Sequence, residues 1–353
     1  MKRKIQLVFF IIIVCLAAGV TGCASSDSSK SASSRAAAQG FSEDAYIEEP
    51  LFIGAGTEYA LAGILTIPKG AIPGKGFPAV VIVHGSGPVD MDGTVFAYKV
   101  YFDIADYLSS NGIAVLRYDK RTYTHGQKMV DELNGAITVY EEVIEDALLA
   151  SELLKADPRI DENKVFMIGH SLGGMLAPRI QVSGAGFAGL ILLAGSPRFF
   201  LDLSYDQNVD YIEKMMTGEE KEAALASLSG WDAMVNVIVN LPDEDAKGVY
   251  LDAGLNSYYL KDLYYHPAAN YIKDVTVPYL VLQGADDFQV RSDKDFAQYK
   301  ELLSGRGNVT FILYEGLNHM FIKSTTGYLD EYYIPDNVDK QVLEDITAWI
   351  LRS

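Results

Sequence analysis

Val-Phe-Met-Ile-Gly-His-Ser-Leu-Gly-Gly-Met-Leu-Ala-Pro, residues 165–178, is the most informative segment of the chain. Its apolar start predicts a buried strand, its Gly-x-Ser-x-Gly centre predicts a sharp turn, and its end is compatible with a helix. Such a turn holds the serine in strained backbone and lifts its hydroxyl off the carboxyl edge of a sheet. Gly169 and Gly173 flank the serine because any Cβ there would collide with the neighbouring strand or helix. We therefore interpret Ser171 as a catalytic nucleophile.

Strand-like and helix-like segments alternate around this turn, which predicts the α/β class with a mainly parallel, doubly wound sheet. Apolar runs rich in β-branched residues predict strands at 46–53, 59–67, 79–83, 113–117, 165–168, 188–193, 279–283 and 309–314. Apolar residues at helical spacing predict helices at 96–111, 139–156, 293–303 and 337–351. The alternation stops in residues 198–274, which contain helical pieces around 210–216 and 219–228 and many tyrosines. We interpret them as a helical insertion in the position of a lid.

The N-terminus predicts export. A basic start precedes the apolar run 7–18, which is shorter than the roughly 20 residues of a spanning helix. The run closes with Val-Thr-Gly-Cys, which resembles the bacterial lipobox and marks Cys23 for lipidation; a plain cleaved signal with an incidental cysteine is the alternative. The predicted organisation is a lipoprotein signal peptide in 1–22, a disordered tether in 23–41 and a catalytic domain in 42–353. The domain is then anchored by lipid outside the cytoplasmic membrane of a bacterial cell envelope, or secreted if the lipobox is not used.

Composition excludes several classes of site. The two cysteines, Cys15 and Cys23, both precede residue 42, so the domain has no disulfide, no thiol chemistry and no thiolate metal site. The net charge of −18 argues against nucleic acid and polyanionic substrates, although solubility alone explains it equally well. The chemistry predicted for Ser171 requires neither a metal nor a cofactor.

A serine hydroxyl needs a base and a group that orients the base. His319 follows the last predicted strand, and active sites of open α/β sheets form at the carboxyl ends of strands. His319 is therefore the predicted base. His170 adjoins Ser171 in the turn and should point away from it, and His84 ends a strand before glycines as part of the loop scaffold. His125 lies in a polar stretch without an anchoring strand, and His266 lies in the insertion beside Pro267. Either Asp286 or Asp287, after the preceding strand, is placed to orient the imidazole, and spacing alone does not separate them. The order Ser, Asp, His differs from the orders of the two common serine-protease classes.

The negative charge that develops on the substrate oxygen also needs donors. Two backbone N–H groups aimed at that oxygen contribute roughly 3 kcal/mol each. The predicted donors are Leu172, directly after the nucleophile at a helix N-terminus, and Ser86, in the glycine-rich loop after the early strand 79–83. Such a loop can also be only a tight turn.

Five segments resemble bacterial serine esterases of the α/β-hydrolase superfamily: residues 84–88, 118–121, 169–174, 284–290 and 318–319. They are also similar to dienelactone-hydrolase-like proteins and to the catalytic domain of prolyl-oligopeptidase-type peptidases. The resemblance runs from about Tyr46 to the C-terminus and is weakest across 198–274. It implies an α/β-hydrolase fold, and it implies Asp287 as the acid of a Gly-x-x-Asp-x-x-Val segment, with Asp286 as runner-up. Arg117, Asp119 and Arg121 are then structural or pocket-shaping.

The resemblance implies hydrolysis of small carboxylic esters through an acyl-enzyme intermediate. The first alternative is a peptidase, which would need an acidic or amide-reading pocket for the substrate amine. The second, from a different class, is a non-catalytic membrane-tethered binding lipoprotein. The tyrosines of the insertion either line an acyl or aromatic pocket or pack the lid: Tyr250, Tyr258, Tyr259, Tyr264, Tyr265 and Tyr271.

Overall fold

The computed structural model describes residues 45–251 and 254–353. The predicted signal peptide, Cys23 and the tether lie outside these ranges. No helix in the described ranges combines the length and apolar character needed to cross a membrane.

The strands of the main sheet are β1 Tyr46–Ile53, β2 Leu61–Pro68, β3 Phe77–Val83, β4 Ala114–Tyr118, β5 Ile160–His170, β6 Leu190–Leu193, β7 Tyr279–Gly284 and β8 Val309–Tyr314. Within the described residues, these eight strands lie in the spatial order β1-β2-β4-β3-β5-β6-β7-β8. Strand β2 pairs antiparallel with β1 and β4, and all other neighbours are parallel. The predicted mainly parallel sheet is therefore confirmed.

Helices connect the strands and cover both faces of the sheet. They are α1 Val100–Ser110, α2 Arg121–Leu133, α3 Glu145–Ala156, α4 Leu172–Ile180, α5 Phe200–Met215, α6 Gly218–Ser227, α7 Trp231–Asn240, α8 Asp243–Ala246, α9 Ser257–Tyr265, α10 Ala269–Ile272, α11 Ala297–Leu302 and α12 Lys340–Arg352. Short π-helical turns precede α3 and α11 and follow α4. A separate two-stranded hairpin pairs Thr94–Val95 with Tyr98–Lys99.

The core lies on both sides of the central strand β3. Alternate side chains of a strand point to opposite faces, so Val80 and Ile82 pack into one apolar cluster with α1 and α12. Val81 and Val83 pack into a second cluster with α3 and α4. Burial on both faces explains the uninterrupted β-branched run in the sequence.

Each predicted helix differs from the observed one at its start. The helix expected from residue 337 begins at Lys340, and the helix expected from residue 293 begins as a π-helical turn, Ser292–Phe296, before α11. The helix expected from residue 96 begins at Val100, because Phe96 has a φ of +50° at the turn of the small hairpin. The helix expected from residue 139 begins as a π-helical turn, Tyr140–Ile144, before α3. Helix α2 was not predicted, since only Arg121 and Met129 of its residues are buried and it therefore has no apolar stripe.

The residues between β6 and β7 carry helices α5 to α10. They have an apolar cluster of their own, in which Leu201 and Ile212 of α5 pack with Trp231, Ile238 and Leu260. Helix α5 begins at Phe200, well before the predicted helical piece near residue 210, because its first turns pack against the main domain as well as this cluster.

Candidate active site

Ser171 lies at the junction of β5 and α4, in the strained backbone that the motif predicts. Its φ is +52° and its ψ is −112°, a conformation that costs a non-glycine residue on the order of 1–3 kcal/mol. The backbone N–H of Ser171 donates to the Leu193 carbonyl at 2.9 Å, which anchors the turn to β6. Packing and this bond hold the strained turn, and Ser171 lines a cavity above the carboxyl edge of the sheet.

The glycines of the turn are required by close backbone contacts. A Cβ on Gly169 would lie 2.4 Å from the carbonyl oxygen of Gly173, in the following helix. A Cβ on Gly173 would lie 2.4 Å from the carbonyl oxygen of Val83, at the end of β3. Both backbones therefore pack at distances that only glycine permits.

Gly173→Ala is expected to lower the free energy of unfolding by at least about 2 kcal/mol, because the new methyl group forces β3 and α4 apart. Gly307→Ala is the matched control, since Gly307 is exposed and a Cβ there meets nothing within 4 Å. Urea denaturation followed by circular dichroism measures both. A Gly173→Ala protein as stable as the control would contradict the close packing of the turn.

His319 and Asp287 form a buried pair. His319 Nδ1 lies 2.7 Å from Asp287 Oδ2. The other oxygen, Oδ1, accepts the backbone N–H groups of Gln289 at 2.8 Å and Val290 at 2.9 Å. The Gln283 side chain donates to Oδ2 at 2.9 Å. Since the carboxylate only accepts, Nδ1 of His319 carries the proton and Nε2 is left as an acceptor.

Asp286 is placed differently from Asp287. Its side chain is exposed, and its backbone N–H donates to the Leu317 carbonyl at 3.0 Å. The structure thus brings Asp287, and not Asp286, against His319. The sequence pattern does not predict the hydrogen bond from Gln283 to Asp287. The signal for it in the sequence is a polar residue near the end of the otherwise apolar, buried strand β7.

Ser171 and His319 line the same cavity, together with Ser86 and Leu172. None of the described residues in its wall is Asp, Glu, Lys or Arg. Ten apolar side chains line the wall beside uncharged polar ones: Pro88, Val89, Val95, Val100, Leu172, Met175, Phe200, Leu203, Val290 and Met320. Such a site has room for uncharged, largely apolar groups next to Ser171.

The two residues predicted to supply amide donors, Ser86 and Leu172, also line this cavity. Leu172 is the first residue of α4, so its N–H has no partner within the helix. Ser86 follows Gly85 in the loop after β3, and the Gly85 N–H donates to Tyr101 Oη at 3.1 Å. The loop is therefore tied to α1 directly beside Ser86.

The remaining histidines have structural partners. Tyr101 Oη lies 3.3 Å from Nδ1 of His170, and Nε2 of His170 lies 3.2 Å from the His319 carbonyl. Burial and, to a lesser degree, the neighbouring His319 lower the pKa of His170 to about 3. His84 contacts the Tyr118 carbonyl, and burial followed by the charge of a nearby lysine lowers its pKa to about 3 as well. Both rings are neutral at pH 7.

The three residues predicted to be structural or pocket-shaping are tied into the scaffold. Arg117 is buried and pairs with Asp92 at 3.1 Å. Asp119 accepts the backbone N–H of Met91 at 2.8 Å, within the loop after β3. Arg121 is buried and forms an ion pair with an aspartate of α3. Their contacts hold loops in place, and none of the three lines the cavity.

Helix α5 forms the cover of the cavity. Its residues Phe200, Leu203, Ser204 and Gln207 are spaced as one helical face, and all four line the wall. The Gln207 side chain donates to the Gln289 carbonyl at 3.0 Å, which joins α5 to the loop after β7. The six tyrosines proposed from the sequence are not among the described lining residues. One of them, Tyr250, is exposed, and the contacts of the other five favour the packing alternative: Tyr258, Tyr259, Tyr264, Tyr265 and Tyr271.

Comparisons with known proteins show the family to which the chain belongs. Residues 80–326 match the model of the alpha/beta hydrolase family. Over 300 residues the chain is 37% identical to Esterase EstD of Thermotoga maritima. The matched region covers 84% of this chain and 66% of EstD, so this chain spans just under two thirds of the length of that relative.

Solved structures share the fold at low sequence identity. Est1E from Butyrivibrio proteoclasticus is 16% identical with a TM-score of 0.53, covering 86% of this chain and 98% of its own. The Pyrococcus furiosus esterase Pf2001 is 14% identical with a TM-score of 0.54, covering 94% of this chain and 96% of its own. The α/β-hydrolase fold expected from the sequence is confirmed, and the chain belongs to the alpha/beta hydrolase family.

Proposed function

We propose that this protein is a serine carboxylesterase in which Ser171 is the nucleophile, His319 the base and Asp287 the group that orients the base. The observation that carries the proposal is the buried His319–Asp287 pair, whose histidine lines the same cavity as Ser171. The similarity to Esterase EstD supports the ester class.

In the proposed mechanism, Ser171 attacks the ester carbonyl while Nε2 of His319 takes the hydroxyl proton. The Asp287 carboxylate stabilises the resulting imidazolium. The oxyanion accepts hydrogen bonds from the N–H groups of Ser86 and Leu172, each of which stabilises the transition state by about 3 kcal/mol. His319 then gives its proton to the leaving alcohol, and an acyl group remains on Ser171. Water then attacks the acyl-enzyme while Nε2 of His319 takes a proton from it. His319 gives that proton to Ser171 Oγ, and the carboxylic acid leaves.

The wall of the cavity supports small, uncharged esters as substrates. A charged acyl or alcohol group would lose its hydration there without meeting an opposite charge, which is unfavourable. The apolar side chains of the wall instead gain from covering an alkyl or aromatic group. Helix α5 contributes Phe200 and Leu203 to that surface.

The peptidase alternative has less support. An aminopeptidase needs a carboxylate that pairs with the substrate ammonium group, and the acidic residues of the insertion do not reach the cavity wall: Asp202, Asp206, Asp210 and Glu213. Asp206 is already paired with Arg198 at 2.8 Å and Lys294 at 2.7 Å. A non-catalytic binding lipoprotein has no use for an orienting carboxylate behind a histidine, so the arrangement also argues against that alternative.

We expect p-nitrophenyl butyrate to be hydrolysed with a kcat/KM at least about 100-fold higher than p-nitrophenyl hemisuccinate, which has a similar acyl length and a carboxylate at its end. Aminoacyl p-nitroanilides are expected to react more slowly still. Initial rates on this matched panel provide the test. Equal rates for the neutral and anionic esters would contradict the neutral substrate class, and faster anilide cleavage would favour the peptidase.

We further propose that lipid on Cys23 anchors the domain to the outer side of the bacterial cytoplasmic membrane. The support is the sequence alone: a basic and apolar start, the Val-Thr-Gly-Cys segment and a Ser- and Ala-rich stretch after it. These residues lie outside the described part of the chain.

A further inference from the structure

Lys120 is a buried cation directly beneath the loop that carries Ser86. The residue is 1% exposed and follows β4. Its Nζ donates to the Gly85 carbonyl at 2.9 Å and pairs with Glu142 at 2.8 Å. Burying an ammonium group costs several kcal/mol before its partners offset the loss of hydration. The position of this charge therefore needs an explanation beyond packing.

The Gly85 carbonyl and the Ser86 N–H belong to the same peptide group. A trans peptide is planar, and its C=O and N–H point in opposite directions. A partner that holds the Gly85 oxygen on one side therefore fixes the direction of the Ser86 N–H on the other side. Because Lys120 Nζ donates a hydrogen bond to the Gly85 oxygen, the Ser86 N–H points away from Lys120. Ser86 lines the cavity.

Other contacts hold the same loop against the segment that contains Lys120. The Lys120 backbone N–H donates to the Val89 carbonyl at 3.0 Å, and Asp119 accepts the Met91 N–H at 2.8 Å. On the opposite side, the Gly85 N–H donates to Tyr101 Oη at 3.1 Å. The loop backbone is thus fixed at several points, and among these contacts it is Lys120 that brings a charged group to the Gly85–Ser86 peptide.

A cation on the carbonyl oxygen also changes the strength of the N–H group. It draws electron density towards the oxygen, so the N–H becomes a better donor, as in any polarised chain of hydrogen bonds. This gain is largest when the acceptor is an anion in a site without water. Glu142 neutralises Lys120 in the resting protein, and Tyr259 of α9 donates to the second oxygen of Glu142 at 2.6 Å.

We propose that Lys120 is a positioning residue that orients and polarises the Gly85–Ser86 peptide group, so that the Ser86 N–H stabilises the oxyanion of the reaction. This inference rests on the proposed esterase function, in which Ser86 is an oxyanion donor. The substrate carbonyl carries little charge before attack, whereas the oxyanion is fully charged. Lys120 therefore acts on kcat and leaves KM nearly unchanged.

The test compares Lys120→Met/Glu142→Gln with Glu142→Gln alone, because removing Lys120 by itself would leave an unpaired buried carboxylate. Active-site titration with a fluorophosphonate gives the fraction of working enzyme in each preparation. Per titrated site, kcat for p-nitrophenyl butyrate is expected to fall about 10- to 100-fold, with KM within about threefold. The inhibition constant of a trifluoromethyl ketone with the same alkyl chain, which forms an oxyanion on the enzyme, is expected to rise by a similar factor.

Lys120→Gln/Glu142→Gln is the second variant, again compared with Glu142→Gln alone, because glutamine offers the Gly85 carbonyl a neutral N–H donor and no buried carboxylate is left unpaired. An intermediate kcat supports polarisation together with orientation, and it keeps the test available if Lys120→Met/Glu142→Gln does not fold. An unchanged kcat per titrated site would overturn the proposal. So would a lower fraction of titratable enzyme with a normal kcat per site, or a rise in KM as large as the fall in kcat. If Ser171→Ala retained activity, the proposed function itself would fail, which is a separate result.

Discussion

Ser171→Ala is expected to lower kcat for p-nitrophenyl butyrate by about 10⁴- to 10⁶-fold while the fold remains intact. The loss is large because His319 then has no hydroxyl to activate and no acyl-enzyme can form. The fold survives because alanine and serine both carry a Cβ, so the strained backbone at φ +52° is no less favourable for alanine than for serine.

Ser204→Ala is the matched control for this variant. Ser204 lines the same cavity, but its hydroxyl donates to the Phe200 carbonyl within α5 at 3.0 Å and takes no part in the proposed chemistry. Its kcat is expected to stay near the wild-type value. Initial rates give kcat for both variants, and urea denaturation shows whether each retains the stability of the wild type. Activity retained by Ser171→Ala at the level of the control would exclude Ser171 as the nucleophile.

Asp287→Asn is expected to lower kcat by about 10³- to 10⁴-fold, because it fixes the wrong tautomer of His319. Oδ1 of Asp287 accepts the N–H groups of Gln289 and Val290, so an asparagine keeps its carbonyl oxygen there. Its NH₂ group then faces Nδ1 of His319 and donates to it. The imidazole proton moves to Nε2, which can no longer accept the proton of Ser171.

Asp286→Asn is the control, since the exposed Asp286 side chain does not contact His319. Its kcat is expected to remain near that of the wild type. The rates of both variants with p-nitrophenyl butyrate decide which aspartate orients His319, a choice that the sequence spacing leaves open. If Asp286→Asn alone abolished turnover, Asp287 would not be the orienting group.

Much of the fold can be predicted because its signals are local. The β-branched run in β3 indicates a central strand, since both of its faces are buried. The Gly-x-Ser-x-Gly turn predicts the strained conformation of Ser171, and Gly169 and Gly173 predict the close contacts made there. Such features depend on a few adjacent residues, so the sequence pattern carries them directly.

The parts that escape prediction depend on residues far apart in the chain. Lys120 reaches the carbonyl of Gly85 across 35 positions, and neither residue carries a pattern that indicates the contact. Helix α2 has no apolar stripe, so periodicity does not indicate it, and its first residue, Arg121, is held instead by an ion pair with Asp146 of α3. The four cavity-facing residues of α5 lie at helical spacing, but the pattern cannot tell which surface that face covers.

Labelling with a fluorophosphonate tests the central claim most directly, because the reagent reacts with an activated serine and needs no knowledge of the natural substrate. Intact-mass and peptide analysis of the labelled protein are expected to show one adduct per chain, located on Ser171. Asp287→Asn is expected to label much more slowly, and Ser171→Ala not at all. An unlabelled wild-type protein, or equal labelling of wild type and Ser171→Ala, would contradict the proposed nucleophile.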